Sequence, residues 1–174
     1  MKQYVSFLLL LVSLSLFAQN KAATKLYIVR HAEKMTDNPK ERDPLLTSEG
    51  TVRAQELAQL LRKKKIDVIY STDYKRTKAT AQPTATNHGI SIETYDSKNL
   101  KAAIPAILER NIGKTILIVG HSNTVLETIE AAGGTKPFAD IADEEYDNLF
   151  LVTIKKNGDV KVRAMKYGFK SSIK

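Results

Sequence analysis

The chain switches repeatedly between short runs of apolar, β-forming residues and longer stretches whose apolar residues recur with helical spacing, and that alternation restricts its folds more than any other feature. Lys25–Val29 and Ile66–Tyr70 are short apolar runs, while Thr115–Val119 is apolar throughout, as expected of a central strand covered on both faces. Ile90–Tyr95 alternates more, which predicts one partly wetted face. Between these runs lie four helical patterns. Behind Thr47, a suitable cap, Ala54, Leu57, Ala58 and Leu61 mark one helix. A second is expected from near Asp73 to just before Gly89, kinked at Pro83. Leu100, Ile104, Ile107 and Leu108 form the stripe of a third, interrupted by Pro105, and a fourth runs from near Thr124 to Gly133-Gly134. Leu149–Ile154 and Val160–Ala164 then flank Asn157-Gly158, a hairpin signal. The expected fold class is α/β: a three-layer α/β/α sandwich with a mostly parallel sheet and an antiparallel C-terminal hairpin at one edge.

The 174 residues suit one domain preceded by a leader. Met1-Lys2, the mostly apolar run Val5–Phe17 and Ala18 read as a signal peptide over 1–18, leaving a single domain over 19–174. The run is only about a dozen residues long, too short to span a bilayer comfortably. The expectation is therefore a secreted or periplasmic protein that meets the membrane only through this leader during export, a retained anchor being the alternative. The chain has no cysteine, so neither a disulfide nor a processed lipid-bearing Cys supports it, and the apolar core must hold the fold. Formal charge is +8, but Lys and Arg are dispersed apart from Arg62–Lys65, and aromatic residues make up only 7%. This favours a basic surface that draws in anionic substrates over a nucleic-acid partner, with the block itself read as a solvated helix end.

In open α/β sheets ligands bind beyond the carboxyl ends of the strands, so the residues found there are the first candidates for chemistry. The first four strands are followed by Arg30-His31-Ala32-Glu33, by Ser71-Thr72-Asp73 with Arg76 one turn on, by Asp96-Ser97-Lys98, and by Gly120-His121-Ser122-Asn123. Two of the three histidines thus leave a strand at the same edge, with two arginines nearby. Guanidinium groups match a phosphate in bidentate fashion, and a neutral imidazole can attack phosphorus to form a covalent intermediate. A second imidazole can steady the equatorial oxygens, and a carboxylic acid must protonate the departing group. Asp96 lies at the correct edge for that role and Glu33 competes with it. His88, in Asn87-His88-Gly89, reads as a helix-end residue. No HxH, HxxxH or Cys cluster suggests a metal site.

Leu26–Lys34 around Arg30-His31, then Leu46-Thr47 with Gly50 and Arg53-Ala54, then Ser71 with Arg76 and Thr80-Ala81, and finally Val119–Ser122 occur in one order. In these motifs the sequence resembles the histidine phosphatase superfamily, of phosphoglycerate-mutase-like fold, in its compact phosphohistidine-phosphatase-like branch. The resemblance implies a phosphohistidine intermediate on His31 and a phosphate pocket of Arg30, Arg76 and His121, to which the strand-end position adds Asn123 as a further candidate. It places Asp96 near the family's acid position, where Glu is commoner, and implies no cofactor. Ala32 stands where the family usually has glycine. Little chain between Asp96 and Leu100 is left for a covering insertion, so hydrolysis is expected over mutase chemistry. The substrate would be a phosphorylated small molecule or protein side chain. A phosphate-binding module of the same fold without catalysis is the alternative. Substrate identity and oligomeric state are open from the residues.

Overall fold

The computed structural model describes residues 22–171, so the leader expected over 1–18 lies outside the described residues. A six-stranded sheet runs in the order β3-β2-β4-β1-β5-β6. Its strands are β1 (Thr24–Arg30), β2 (Val68–Ser71), β3 (Ile92–Thr94), β4 (Thr115–Gly120), β5 (Asn148–Ile154) and β6 (Val160–Lys166). The first four are parallel, β5 runs antiparallel to β1, and β6 closes the edge as the hairpin partner of β5. This is the mixed α/β architecture that the alternation predicts. Among the described residues the helices are α1 (Ser48–Leu61), α2 (Lys75–His88), α3 (Leu100–Arg110) and α4 (Ser122–Ala131).

Side chains alternate across a strand, so each central strand feeds two cores. Leu26, Ile28, Ile116 and Ile118 pack with Ile104 and Ile107 of α3 and Val125 and Ile129 of α4. Tyr27, Val29, Leu117 and Val119 face the other way, onto Leu57 and Leu61 of α1 and Ala81 and Ala85 of α2. The apolar run of β4 is buried because it sits between β1 and β2 with helices on both faces. The short β3 is an edge strand, and its side chains are half-buried or exposed.

Local chemistry sets the helix ends. Thr47 accepts the Gly50 N–H at the start of α1, as expected. Gly89 ends α2 with φ +63°, a left-handed conformation that glycine adopts without a Cβ penalty. Two starts differ from expectation. Helix α2 begins at Lys75, because the Thr72 N–H still bonds the Val119 carbonyl of the sheet and Tyr74 serves as the cap, and α4 begins at Ser122, with His121 alone between it and the last strand residue, Gly120.

Candidate active site

Strand adjacency brings the two histidines together. β1 pairs with β4 so that Arg30 lies opposite Gly120, and the His31 N–H donates to the Gly120 carbonyl at 2.9 Å. His31 and His121 therefore leave neighbouring strands side by side, with ring centroids 5.4 Å apart at 68°. β2 flanks β4 on its other side and delivers Thr72, Tyr74 and Arg76 to the same place. His31, His121, Tyr74 and Arg76 share one open cleft of about 880 Å³ with Arg30, Glu33 and Asn123, and Thr72 is buried against His121.

His31 is 3% exposed, and its Nδ1–H donates to the Ala32 carbonyl at 2.8 Å. That bond fixes the tautomer and leaves the Nε2 lone pair available. Burial pushes the His31 pKa down to about 3, against the Ala32 bond and helped by the charges of Arg30 and Arg76. His121 is lowered to about 4, first by burial and then by Arg76 and Arg30. Thr72 connects it to a fixed chain: the Thr72 hydroxyl donates to Thr77 Oγ1 at 3.0 Å, and that hydroxyl in turn donates to backbone carbonyls. The Thr72 oxygen is thus the acceptor for His121 Nε2–H at 2.9 Å, leaving Nδ1 to face an Arg76 N–H at 3.5 Å. Both imidazoles are neutral at ordinary pH.

The guanidiniums are held from behind. Arg30 lies over the Tyr146 ring at 4.2 Å, and its Nη1 donates to the carbonyls of Ala142, Asp143 and Glu145 at 3.1, 2.8 and 3.2 Å. Arg76 lies over Tyr74 at 4.4 Å, with Asp43 3.5 Å from its Nη1. Arg30 Nε and Arg76 Nε are buried donors without a hydrogen-bond acceptor among the described residues, and Arg76 Nη1 has only the ion pair with Asp43. Buried donors without acceptors are costly, and an oxyanion is the complementary group. Helices α2 and α4 also begin at the cleft, adding the positive ends of their dipoles. The site is built for an anion.

The two carboxylates considered as acids are both engaged elsewhere. Asp96 does not line the cleft. It is exposed, and its Oδ1 accepts the Lys98 N–H at 2.8 Å as the cap of a short 3-10 turn over Ser97–Asn99. Glu33 does reach the cleft, but Arg53 grips its carboxylate through Nε at 2.9 and 3.0 Å and through Nη2 at 2.7 Å. Asn123 is exposed and lines the cleft wall two residues after His121.

Two motif positions acquire a structural reason. Ala32 has an ordinary negative φ, is fully buried against Leu46 and Ala54, and gives its N–H to Thr80 Oγ1 at 2.9 Å, so a Cβ fits where glycine is usual. The segment from Thr47 to Arg53 forms a cradle for Glu33: the Thr47 N–H donates to the Glu33 carbonyl at 3.0 Å, and α1 passes so close at Gly50 that a Cβ there would collide with that carbonyl. Gly50→Ala is therefore expected to cost about 1–3 kcal/mol of stability, read by chemical denaturation, because backbone rather than a flexible side chain must move.

Arg53, Tyr74 and the Ala142–Tyr146 loop are not at the strand ends. Arg53 stands inside a motif and Thr72 at a strand end, and spacing alone does not reveal what they hold. Tyr146 follows an irregular acidic stretch with no periodicity to place it against Arg30.

Comparison with known proteins agrees with the motif reading. Residues 26–100 match the family model described as histidine phosphatase superfamily (branch 1). Among solved structures, the protein histidine phosphatase SixA complexed with tungstate aligns at TM-score 0.65 and 18% identity, covering 82% of this chain and 96% of that one. A mycobacterial glucosyl-3-phosphoglycerate phosphatase aligns at 0.63 and 14% identity, covering 83% and 98%. Phosphoserine phosphatase from Entamoeba histolytica, in complex with 3-phosphoglyceric acid, aligns at 0.59 and 18% identity, covering 84% and 98%. At these identities the likeness is one of fold, and the fold is that of the histidine phosphatases. No curated protein gives a significant match.

Proposed function

We propose that this chain, matched to the histidine phosphatase superfamily over residues 26–100, is a metal-independent phosphatase that hydrolyses phosphomonoesters or phosphoramidates through a phosphohistidine on His31. The observation that carries this reading is a neutral imidazole, its tautomer fixed by the Ala32 carbonyl, standing beside guanidinium donors that lack acceptors. In the first step the His31 Nε2 lone pair attacks phosphorus and the bond to the leaving group breaks, its electron pair going to the departing oxygen or nitrogen. His121 and the guanidinium groups of Arg30 and Arg76 stabilise the charge on the equatorial oxygens. Water then attacks the phosphorylated imidazole, the P–N bond breaks, and Nε2 regains its lone pair as phosphate departs.

With Asp96 capping a turn and Glu33 paired to Arg53, neither carboxyl is poised to protonate a poor leaving group. The substrate class this supports is one whose leaving group departs readily: a phosphoramidate such as phosphohistidine, or an ester of an acidic alcohol. A panel comparing aryl, alkyl and phosphoramidate substrates tests it, with chelator present throughout. Expected are turnover that survives chelation, a preference for phosphoramidate and aryl phosphate, and little effect of Asp96→Asn. Saturable phosphate binding with no hydrolysis of any substrate would leave a non-catalytic anion-binding module instead. We further propose export through residues 1–18, tested by the N-terminal sequence of the mature protein.

The lowered histidines fix a pH dependence. His31 acts neutral, so the acid limb of kcat/KM is expected well below the ordinary histidine range, towards pH 3–4. Stability moves with the same sign. The unfolded chain binds protons at these histidines below about 6.5 while the folded one does not, so stability is full above that pH. It falls by roughly 1.4 kcal/mol per pH unit for each histidine as the pH drops towards the folded values. Denaturation midpoints measured between pH 7 and 4 check this. A flat profile would mean that the rings are hydrated.

A further inference from the structure

We propose that the pole of the molecule opposite the cleft is a docking surface for an anionic lipid bilayer, with Ile112 as its apolar contact and the surrounding Lys and Arg as its electrostatic contact. The register places three segments at this pole: residues 62–67 ahead of β2, 111–114 ahead of β4, and the hairpin tip 155–159 between β5 and β6. All three carry exposed cations, namely the Arg62–Lys65 block, Lys114, and Lys155 with Lys156, and Arg110 stands at the adjoining end of α3. The carboxylates here are few. Asp67 and Asp159 each take one lysine, Lys65 at 3.4 Å and Lys155 at 3.3 Å, while Glu109 and, beside Tyr70 and Arg110, Glu93 add two more charges.

The cleft mouth is different. Glu49, Asp143 and Glu144 stand among its lining residues beside Lys34 and Lys98, and Asp43 backs Arg76. At the cleft the two signs are mixed, whereas the far pole is one-sidedly basic.

Between the basic segments lies an apolar groove of about 620 Å³, walled by Leu108, Ile112, Ile154 and Ala22. Ile112 is 56% exposed at the turn between α3 and β4. An exposed aliphatic side chain ringed by cations suits the boundary between acyl chains and anionic headgroups. The chain also continues from Ala22, in the groove wall, toward residues 1–21 with their apolar run Val5–Phe17, so the proposed leader would join the domain at this pole. No described helix is long and apolar enough to cross a membrane, which makes the proposed contact peripheral. Single-stranded nucleic acid is the weaker match, because it stacks on aromatic rings. Here the exposed Tyr74 and Phe169 line the cleft, and Phe138 packs on Phe150.

The test is co-sedimentation of the full chain with phosphatidylcholine vesicles, with and without a minority of phosphatidylglycerol, in low and high salt. Expected is stronger binding to the anionic vesicles, weakened by salt. Neutralising Lys63→Gln, Lys64→Gln and Lys155→Gln together should weaken it by on the order of 100-fold, counting each cation at its usual worth near a charged surface. Ile112→Ser should weaken it separately, and turnover in solution should be unchanged in both variants. Equal binding to both vesicle types, full binding by the triple variant, or preference for an RNA oligonucleotide over anionic vesicles would overturn the proposal.

Discussion

Replacing His31 with Ala is expected to reduce turnover by on the order of 10⁴- to 10⁶-fold, while a folded protein still binds phosphate. The size of the effect follows from what the imidazole does. His31 supplies the only neutral nitrogen nucleophile in the cleft whose partner bond leaves its other nitrogen bare, since Nδ1–H is committed to the Ala32 carbonyl. His121 cannot readily take its place, because its Nε2–H is tied to Thr72 and its Nδ1 faces Arg76. Removing the ring leaves the guanidiniums of Arg30 and Arg76, whose unsatisfied donors still favour an oxyanion. Steady-state kinetics on the panel's best substrate, with phosphate binding by calorimetry, separate the two functions. Activity within tenfold of the parent would show that another group attacks phosphorus.

The second large effect is structural. Arg53 is fully buried and grips the Glu33 carboxylate, donates to the carbonyls of Tyr167 and Phe169 at 3.2 and 3.0 Å, and lies over the Phe169 ring at 4.0 Å. Arg53→Met fills similar volume but leaves a largely enclosed carboxylate and two carbonyls without donors. Breaking one side of such a pair costs about 3–5 kcal/mol, most of it the cost of the stranded charge. Turnover should fall as well, because Glu33 follows directly on the Ala32 carbonyl that orients His31. The double variant Arg53→Met, Glu33→Gln removes that charge and should recover part of the loss. Urea denaturation of the singles and the double forms the cycle. A loss under 1 kcal/mol for Arg53→Met alone would show that water solvates Glu33 in place of the guanidinium.

Burial patterns made most of the architecture readable from the chain. The uninterrupted apolar run at Thr115–Val119 needs cover on both faces and lies centrally, and Asn157-Gly158 does turn between β5 and β6. The candidate pocket was readable for the same reason: residues at the ends of adjacent parallel strands have little choice but to meet. Carboxylates were harder. Asp96 and Glu33 stand where an acid is wanted in the linear order, yet an aspartate before a turn finds backbone N–H groups at no distance, and Glu33 meets a guanidinium from α1 that spacing does not reveal. The loop that backs Arg30 comes from Ala142–Glu145, more than 110 residues away. Its contacts are carbonyls, which every residue possesses, so no side-chain signal announces them.

The central claim is that phosphorus passes to one nitrogen of one histidine. Mixing enzyme with a ³²P-labelled substrate, quenching in alkaline denaturant within a single turnover and mapping the labelled peptide measures this directly. The predicted result is one phosphoryl group on Nε2 of His31, the nitrogen left bare by the Ala32 bond. Label on His121, on Nδ1 of His31, or on no residue while product accumulates would contradict it.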